Sequence, residues 1–305
     1  MKLPPQDVVA KIPLLNRTLT SSGRWYFPDE KGGDLILTPV LIKDLALLTP
    51  PATIDIQGFE KATFDTEVSF LPNPNQTMAP HTPWSDSPRP LKWFVQQFQF
   101  TLNKIALKTK DIAILQCNGE LVRGSTATGA ATTGSARWPP TFNAHVDQDL
   151  SGSPLSSYSS ILPFLFTQTP LTLLNFWFPL NDEQVRPLAV RDRRHVEEGD
   201  LAKWTEVTFD IASDRFVVTD SSKSGWHYSS DMKPGDLYVF LTGETPHTSF
   251  GRPEAGDGIR YSVELRCAAL LLPKNSAYIV STLLVIVLLL FPLLLKTSRR
   301  KVKKS

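Results

Sequence analysis

The sequence predicts a mainly β protein, built as a β-sandwich or barrel with flanking helices and followed by one C-terminal transmembrane helix. Six segments between residues 171 and 272 are rich in β-branched and aromatic residues and are separated by turn signals at short intervals. The 25 prolines and 10% aromatic residues also favour strands and loops, because proline interrupts helices. An uncharged apolar run near the C-terminus predicts the membrane helix.

The N-terminal part consists of short segments separated by proline. Residues 34–57 contain apolar runs cut by prolines, and TIDIQG at 53–58 alternates as a strand does. A proline-rich connection follows at 71–90. Apolar residues recur at spacings of three and four over 91–108, which predicts a helix. The Gly/Ala/Thr run within 115–140 predicts a flexible loop.

The predicted strands of the second half share β-branched and aromatic residues in short runs. They are LTLLNFWFPL at 171–180, RPLAVRD at 186–192, WTEVTFD at 204–210, RFVVTD at 215–220, GDLYVFLTG at 235–243 and RYSVELRCAALLL at 260–272.

Residues 277–295 carry no charge and cover roughly 28 Å as a helix, at a rise of about 1.5 Å per residue. The N-terminus has no continuous apolar core of signal-peptide length, so we expect a tail anchor with the body in the cytosol, at the endoplasmic reticulum or another organelle surface. The basic tail at 296–305 favours the opposite orientation by the positive-inside tendency. We give the missing export signal more weight.

Charge and cysteine content exclude some functions. The tail holds six of the 32 basic residues, which leaves 26 bases against 30 acids in the body. A mildly acidic body does not predict nucleic-acid binding. The two cysteines, Cys117 and Cys267, are too few for a disulfide framework, so we expect buried thiols in a reducing compartment.

A His-x-Asp pair and a distant histidine predict a metal site. His145 and Asp147 lie two residues apart at the start of the strand-rich region, where alternation places both side chains on one face. His247 follows GDLYVFLTGETP. Two histidines and a carboxylate in one jelly-roll sheet are the facial triad that holds non-haem Fe(II) and leaves three positions open. A strand-end histidine with a turn aspartate would be the alternative if the pair stood alone.

Arg260 and Ser262 follow His247 and share one face of a predicted strand. A guanidinium beside a hydroxyl suits a carboxylate, because its planar fork can donate two hydrogen bonds to it. The 2-oxoglutarate-dependent oxygenases place a basic residue in this position to hold the far carboxylate of the co-substrate.

The sequence resembles the secondary-metabolism hydroxylase/desaturase family of 2-oxoglutarate/Fe(II) oxygenases, which includes the cephalosporin 7-alpha-hydroxylase component. The resemblance extends over about residues 50–272. Its motifs are HVDQD at 145–149, NFWFPL at 175–180, RPLAVRD at 186–192, WHYSSDMKPGD at 226–236, PHTSF at 246–250 and RYSVELRCAAL at 260–270.

The resemblance implies a double-stranded β-helix with Fe(II) at His145, Asp147 and His247 and with 2-oxoglutarate held at Arg260 and Ser262. It also implies a small-molecule substrate, molecular oxygen as a reactant, and hydroxylation or desaturation of a secondary metabolite. No catalytic residue is expected beyond the iron site. The membrane segment favours a lipophilic substrate.

The predicted domain organisation follows from these assignments. Residues 1–90 form N-terminal strands and the proline-rich connection, and 91–272 form a jelly-roll catalytic core with its leading helix. Residues 277–295 form the transmembrane helix and 296–305 the basic tail. Two alternatives remain: an iron enzyme of the same fold that does not consume 2-oxoglutarate, and a catalytically silent jelly-roll binding module held at a membrane.

Four further side chains near these motifs have an expected position, and two of them have two interpretations. Asn175 either contacts the co-substrate or an iron ligand, or satisfies a strand end. Arg266 either faces the site or pairs near Glu264. Trp177 is expected in the core, and His227 is expected to be solvated.

Overall fold

The computed structural model describes a two-sheet β protein. The described residues are 5–15, 24–26, 35–63, 105, 107–126, 143–147, 171–180, 186–197, 199–208, 211–219, 223–252 and 259–275. The predicted connection at 71–90, most of the predicted helix at 91–108 and the segments at 277–295 and 296–305 lie outside these residues.

Fourteen strands, one short α-helix, α1, and two 3₁₀ helices at Leu45–Leu47 and Arg193–His195 make up the regular structure of the described part. In chain order the strands and α1 are β1 (Val8–Leu15), β2 (Arg24–Tyr26), β3 (Leu35–Asp44), α1 (Ile54–Gln57), β4 (Phe59–Thr63), β5 (Lys110–Thr126), β6 (His145–Val146), β7 (Leu171–Pro179), β8 (Leu188–Arg191), β9 (Leu201–Thr208), β10 (Ile211–Val218), β11 (Trp226–Tyr228), β12 (Asp236–Leu241), β13 (His247–Ser249) and β14 (Ile259–Pro273). The mainly β prediction is confirmed.

The strands form two sheets in a jelly-roll arrangement. The larger has nine strands in the order β1-β3-β11-β8-β13-β6-β10-β9-β2, and the smaller has five in the order β4-β12-β7-β14-β5. Nearly all pairs are antiparallel; β3 with β11 and β2 with β9 are parallel. Sequence neighbours such as β6 and β7 lie in different sheets, which is the crossing pattern expected of a jelly roll.

Side-chain alternation gives the five-stranded sheet two different faces. In β7, Leu174, Phe176 and Phe178 belong to a core cluster that covers the outer face, whereas Trp177 packs with Val190 and Leu188 of the other sheet. The cluster that contains Trp177, Leu188 and Val190 therefore lies between the sheets. Side chains in register with Trp177 face the interior, and this inner face carries the site residues described below.

Two short segments differ from their predictions. Residues 54–57 form one helical turn and not a strand, and Gly58 ends the turn in the left-handed conformation at φ 84°. Ile54 is buried and Ile56 exposed, so the alternation reflects the two sides of that turn. Ile105 and Leu107 at the end of the predicted 91–108 helix are not helical.

Other differences concern strand lengths. Strand β3 is continuous through Pro39, which is tolerated because β11 pairs with β3 only from Ile42 onward. Strand β5 extends to Thr126, so the loop predicted within 115–140 begins no earlier than 127.

Cys267 is buried as expected but is disulfide-bonded. The chain has one other cysteine, Cys117, and it stands directly opposite Cys267 in the register of β5 and β14. The expectation of free thiols is therefore wrong. The bond joins the edge strand β5 to the strand that carries Arg260 and Ser262.

Within the described residues, no helix is long and apolar enough to cross a membrane. The predicted span at 277–295 is not among those residues.

His227 is buried on the inner face, contrary to the expected solvated position. It pairs with Val190 on β8 and its ring lies 5.8 Å from that of Phe59. Nδ1 of His227 has no hydrogen-bond partner among the described residues. Burial lowers the pKa of His227 from 6.5 to about 4, although the charge of Asp192 acts in the opposite direction. The imidazole is therefore neutral at pH 7.

Replacing both cysteines with serine should lower the free energy of unfolding by about 2–5 kcal/mol, because the bond closes a long loop in the unfolded chain. Thermal unfolding of the double variant and of wild type, with and without reductant, measures this loss. Reductant should destabilise only the wild type. Equal midpoints in all four samples would mean that the bond does not form in solution.

His227→Phe should remove part of the acid sensitivity of the fold. A buried histidine with a lowered pKa stabilises the fold above the unfolded pKa of 6.5, and this contribution is lost as pH falls towards 4. The wild type should lose ~3 kcal/mol more than the variant between pH 7 and 4. Urea unfolding across this range measures the difference, with His195→Phe, an exposed histidine, as the control. Parallel pH profiles for wild type and His227→Phe would contradict the assignment.

Candidate metal centre

His145, Asp147 and His247 meet on the inner face of the nine-stranded sheet. Strands β6 and β13 are neighbours, and His145 stands opposite His247 in their register. Asp147 follows β6 directly. One ligand atom from each of the three side chains lies within 4.8 Å of the others, and all three residues are buried. The structure therefore brings together the three residues predicted to hold iron.

The backbone fixes how both imidazoles present their nitrogens. Nδ1 of His145 lies 2.9 Å from the carbonyl oxygen of Asn143, and Nδ1 of His247 lies 3.1 Å from that of Thr245. A carbonyl oxygen can only accept, so each Nδ1 carries a proton, and Nε2 is the ring atom through which each imidazole can bind a metal. The two Nε2 atoms lie 3.7 Å and 3.6 Å from the oxygens of Asp147.

Two side chains from the opposite sheet hold the carboxylate of Asp147. Asn175 donates from Nδ2 to Oδ2 at 2.5 Å, and Arg266 donates from Nη2 to Oδ1 at 2.5 Å. Thr242 donates in turn to Oδ1 of Asn175 at 2.7 Å, which fixes the orientation of the amide. Both oxygens of Asp147 are thus held from the five-stranded sheet.

Arg260 and Ser262 lie together further along β14. Arg260 donates from Nη2 and Nε to Oγ of Ser262 at 3.0 Å and 3.3 Å, and from Nη1 to the carbonyl oxygen of Arg186 at 2.8 Å. Its guanidinium carbon lies 5.1 Å from the centroid of the Trp177 ring. These contacts fix a buried cation in one orientation on the inner face.

Glu264 lies between these two arginines on β14. Nη2 of Arg266 is 3.4 Å from Oε1 of Glu264. Burial acts to lower the pKa of Arg266, but the negative charges of Asp147 and Glu264 outweigh it and raise that pKa above its usual value. Arg266 is therefore a permanent cation between two carboxylates.

The donor set fits Fe(II). Two imidazole nitrogens and one carboxylate on adjacent strand ends form a three-ligand face, and such a face leaves positions open for a co-substrate and oxygen. The Nδ1 contacts of the histidines and the two donors on Asp147 are the supporting interactions that metal ligands require.

Asn175 and Arg266 both contact Asp147, whereas the sequence alone left two interpretations open for each. Asn175 contacts Asp147, one of the two alternatives left open for it, and its contact with 2-oxoglutarate stays a prediction. Nothing in the sequence singles out Thr242. The available signal for Arg266 is strand alternation, since residues 260, 262, 264 and 266 share one face of β14.

The chain is similar to one curated protein and, in its fold, to solved structures of a second protein. It is 24% identical over 266 residues to the hydroxylase/desaturase efuI of Hormonema carpetanum, a match that covers 75% of this chain and 82% of that protein. The predicted resemblance to a hydroxylase/desaturase family is thereby confirmed.

The iron and alpha-ketoglutarate-dependent endoperoxidase NvfI has a similar fold. A structure described as having a different conformation matches with a TM-score of 0.63 at 12% identity, over 90% of this chain and 100% of that chain. A variant of the same endoperoxidase with one tryptophan replaced by phenylalanine matches with a TM-score of 0.62 at 13% identity and the same coverage.

A family model described as oxidoreductase/YMDC permease-like domain matches residues 31–270. Because this match covers well over half of the 305 residues, the chain belongs to the oxidoreductase/YMDC permease-like domain family.

Proposed function

We propose that the protein is a non-haem Fe(II), 2-oxoglutarate-dependent oxygenase that hydroxylates or desaturates a small secondary metabolite. The observation that carries this proposal is the buried cluster of His145, Asp147 and His247, with the anchored guanidinium of Arg260 on a strand of the opposite sheet. The hydroxylase/desaturase name of the curated relative supports the same reaction class.

In the proposed hydroxylation, 2-oxoglutarate, oxygen and a substrate C–H bond give succinate, carbon dioxide and an alcohol. Each residue of the site has a role in this reaction. Bound Fe(II) with 2-oxoglutarate supplies the activation of oxygen. His145, Asp147 and His247 would hold the metal, with the histidines binding through Nε2 and Asp147 through a carboxylate oxygen. Arg260 and Ser262 hold the distal carboxylate of the co-substrate.

The charges of the site favour binding of metal and co-substrate as a pair. Asp147 and Glu264 carry two negative charges, and Arg260 and Arg266 carry two positive charges, so these four residues sum to zero. A divalent cation and a dianion added together preserve that balance. Either one added alone leaves two uncompensated charges between the sheets, which is costly.

The geometry disfavours the two alternative functions. Arg260, which donates to Ser262 and to the carbonyl oxygen of Arg186, supports a 2-oxoglutarate requirement. A silent binding module would not require a complete ligand set with both histidine tautomers fixed by the backbone.

An anaerobic Fe(II) titration tests the metal and co-substrate roles. Full-length protein with Fe(II) should develop the weak visible absorption of the Fe(II)–2-oxoglutarate chelate, and His145→Ala should develop none. Arg260→Gln should need roughly 10–100 times more 2-oxoglutarate, because a charge-assisted bidentate contact is lost.

The control is Arg194→Gln, which removes an exposed arginine that is ion-paired with Asp192 and not with a site residue, and should titrate as wild type does. Absence of the absorption in folded, Fe(II)-treated wild type would end the oxygenase proposal. Oxygen uptake that is unchanged when 2-oxoglutarate is omitted would be equally incompatible with it.

We also propose that residues 277–295 anchor the protein in an organelle membrane with the catalytic body in the cytosol, and that the substrate is lipophilic. The apolar length of this segment supports the anchor. The disulfide at Cys267 is the observation that weighs against a cytosolic body, because cytosolic thiols are kept reduced.

Alkaline carbonate extraction of cell membranes tests the anchor: the full chain should stay with the membrane, and a variant with three charged residues within 277–295 should be released. Asn16 and Asn75 belong to glycosylation patterns and report the side of the membrane. A cytosolic body leaves both unmodified. A glycosylated body would place the enzyme on the lumenal side.

A further inference from the structure

The carboxylate of Asp147 accepts a side-chain hydrogen bond at each of its two oxygens. Asn175 holds one oxygen and Arg266 holds the other, each at 2.5 Å. Both donors come from the sheet opposite the one that carries the histidines. The plane of this carboxylate is therefore set by β7 and β14, independently of the strands that carry His145 and His247.

Arg266 occupies this position because of the register of β14. It stands opposite Asn175 on β7, and Glu264 stands opposite Trp177, so the two charged residues follow each other on the inner face. The side chain of Arg266 is 30% exposed, whereas that of Asp147 is 2% exposed. The guanidinium therefore extends from the edge of the site towards a fully enclosed carboxylate.

A cation beside a metal ligand has two opposing effects. Its hydrogen bond orients the carboxylate, which favours metal binding. Its positive charge repels an incoming divalent cation, which disfavours metal binding. Glu264 lies 3.4 Å from the same Nη2 atom and offsets that charge. The hydrogen bond is thus kept while the repulsion is reduced.

We propose that Arg266 and Glu264 form a charge-balanced positioning pair that fixes the Asp147 carboxylate for the metal. This inference rests on the proposed function, since it assigns a task to residues around the same metal site. Neither residue is a metal ligand in it. Arg266 acts through Asp147, and Glu264 acts through Arg266.

Anaerobic Co(II) titration of the full chain, followed by visible absorption, tests the pair. Co(II) bands report both affinity and ligand geometry. Arg266→Gln should weaken Co(II) binding about 10–100-fold and change the band pattern. Arg266→Lys should recover part of the affinity, because it restores a cationic donor. Arg194→Gln is the matched control for the loss of an ion-paired arginine.

Glu264→Gln tests the charge balance separately. It should weaken Co(II) binding in the wild-type background, because the charge of Arg266 is then uncompensated. The effect should largely vanish in Arg266→Gln, where no guanidinium remains to repel the cation. Strict additivity of the two substitutions would overturn the charge balance. Wild-type or tighter Co(II) affinity in Arg266→Gln would overturn the positioning role.

The outcomes separate this inference from the proposed function. If the wild type binds no Co(II), or binds it equally well after His145→Ala, the metal site itself is wrong. If the wild type binds Co(II) through His145 and Arg266→Gln leaves affinity and spectrum unchanged, only the positioning role fails. Near-UV circular dichroism of the metal-free proteins checks folding. Should Arg266→Gln not fold, Arg266→Lys and Glu264→Gln still decide, because both keep the site polar and of similar size.

Discussion

The pairing of β6 with β13 is the constraint on which the site depends. It consists of one residue pair, His145 opposite His247, in the middle of a nine-stranded sheet. Strand β10 supports β6 on one side, and β8 supports β13 on the other. The two imidazoles lie with ring centroids 4.4 Å apart because their strands are held in place by neighbours on both sides. The backbone alone therefore brings the two imidazoles together.

The space between the sheets combines aromatic packing with buried charge. Phe240 packs against His247 at 4.8 Å between centroids, and Trp177 packs against Tyr238 at 5.9 Å. These rings exclude water and lower the local dielectric, so each ion pair near them is stronger and each unpaired charge more costly. Arg260, Glu264 and Arg266 share one face of β14, and their charges are positive, negative and positive in chain order. Each positive charge therefore has a negative charge on the same face of the strand. Binding and packing are therefore determined by the same few residues.

Much of the fold and the metal ligands could be predicted from local sequence. The six strand-like segments at 171–272 correspond to strands β7 to β10, β12 and β14, since β-branched and aromatic residues fit a pleated buried surface. His145 and Asp147 followed from a two-residue spacing. The contact of Arg266 with Asp147 did not, because it joins strands separated by 119 positions and depends on how two sheets face each other. The disulfide of Cys267 depends likewise on the β5 register.

The jelly-roll connectivity also separates residues whose positions are fixed by strand pairing from residues that only connect the strands. The donors to the metal and the residues expected to hold the co-substrate belong to ladders or adjoin them, so their relative positions are set by hydrogen-bond register. Residues 229–235, which join β11 to β12, lie outside that register. Changes of length or composition there leave the donors where they are. The fold therefore separates the residues of the reaction from connecting segments, and the reaction core can stay constant while those segments vary.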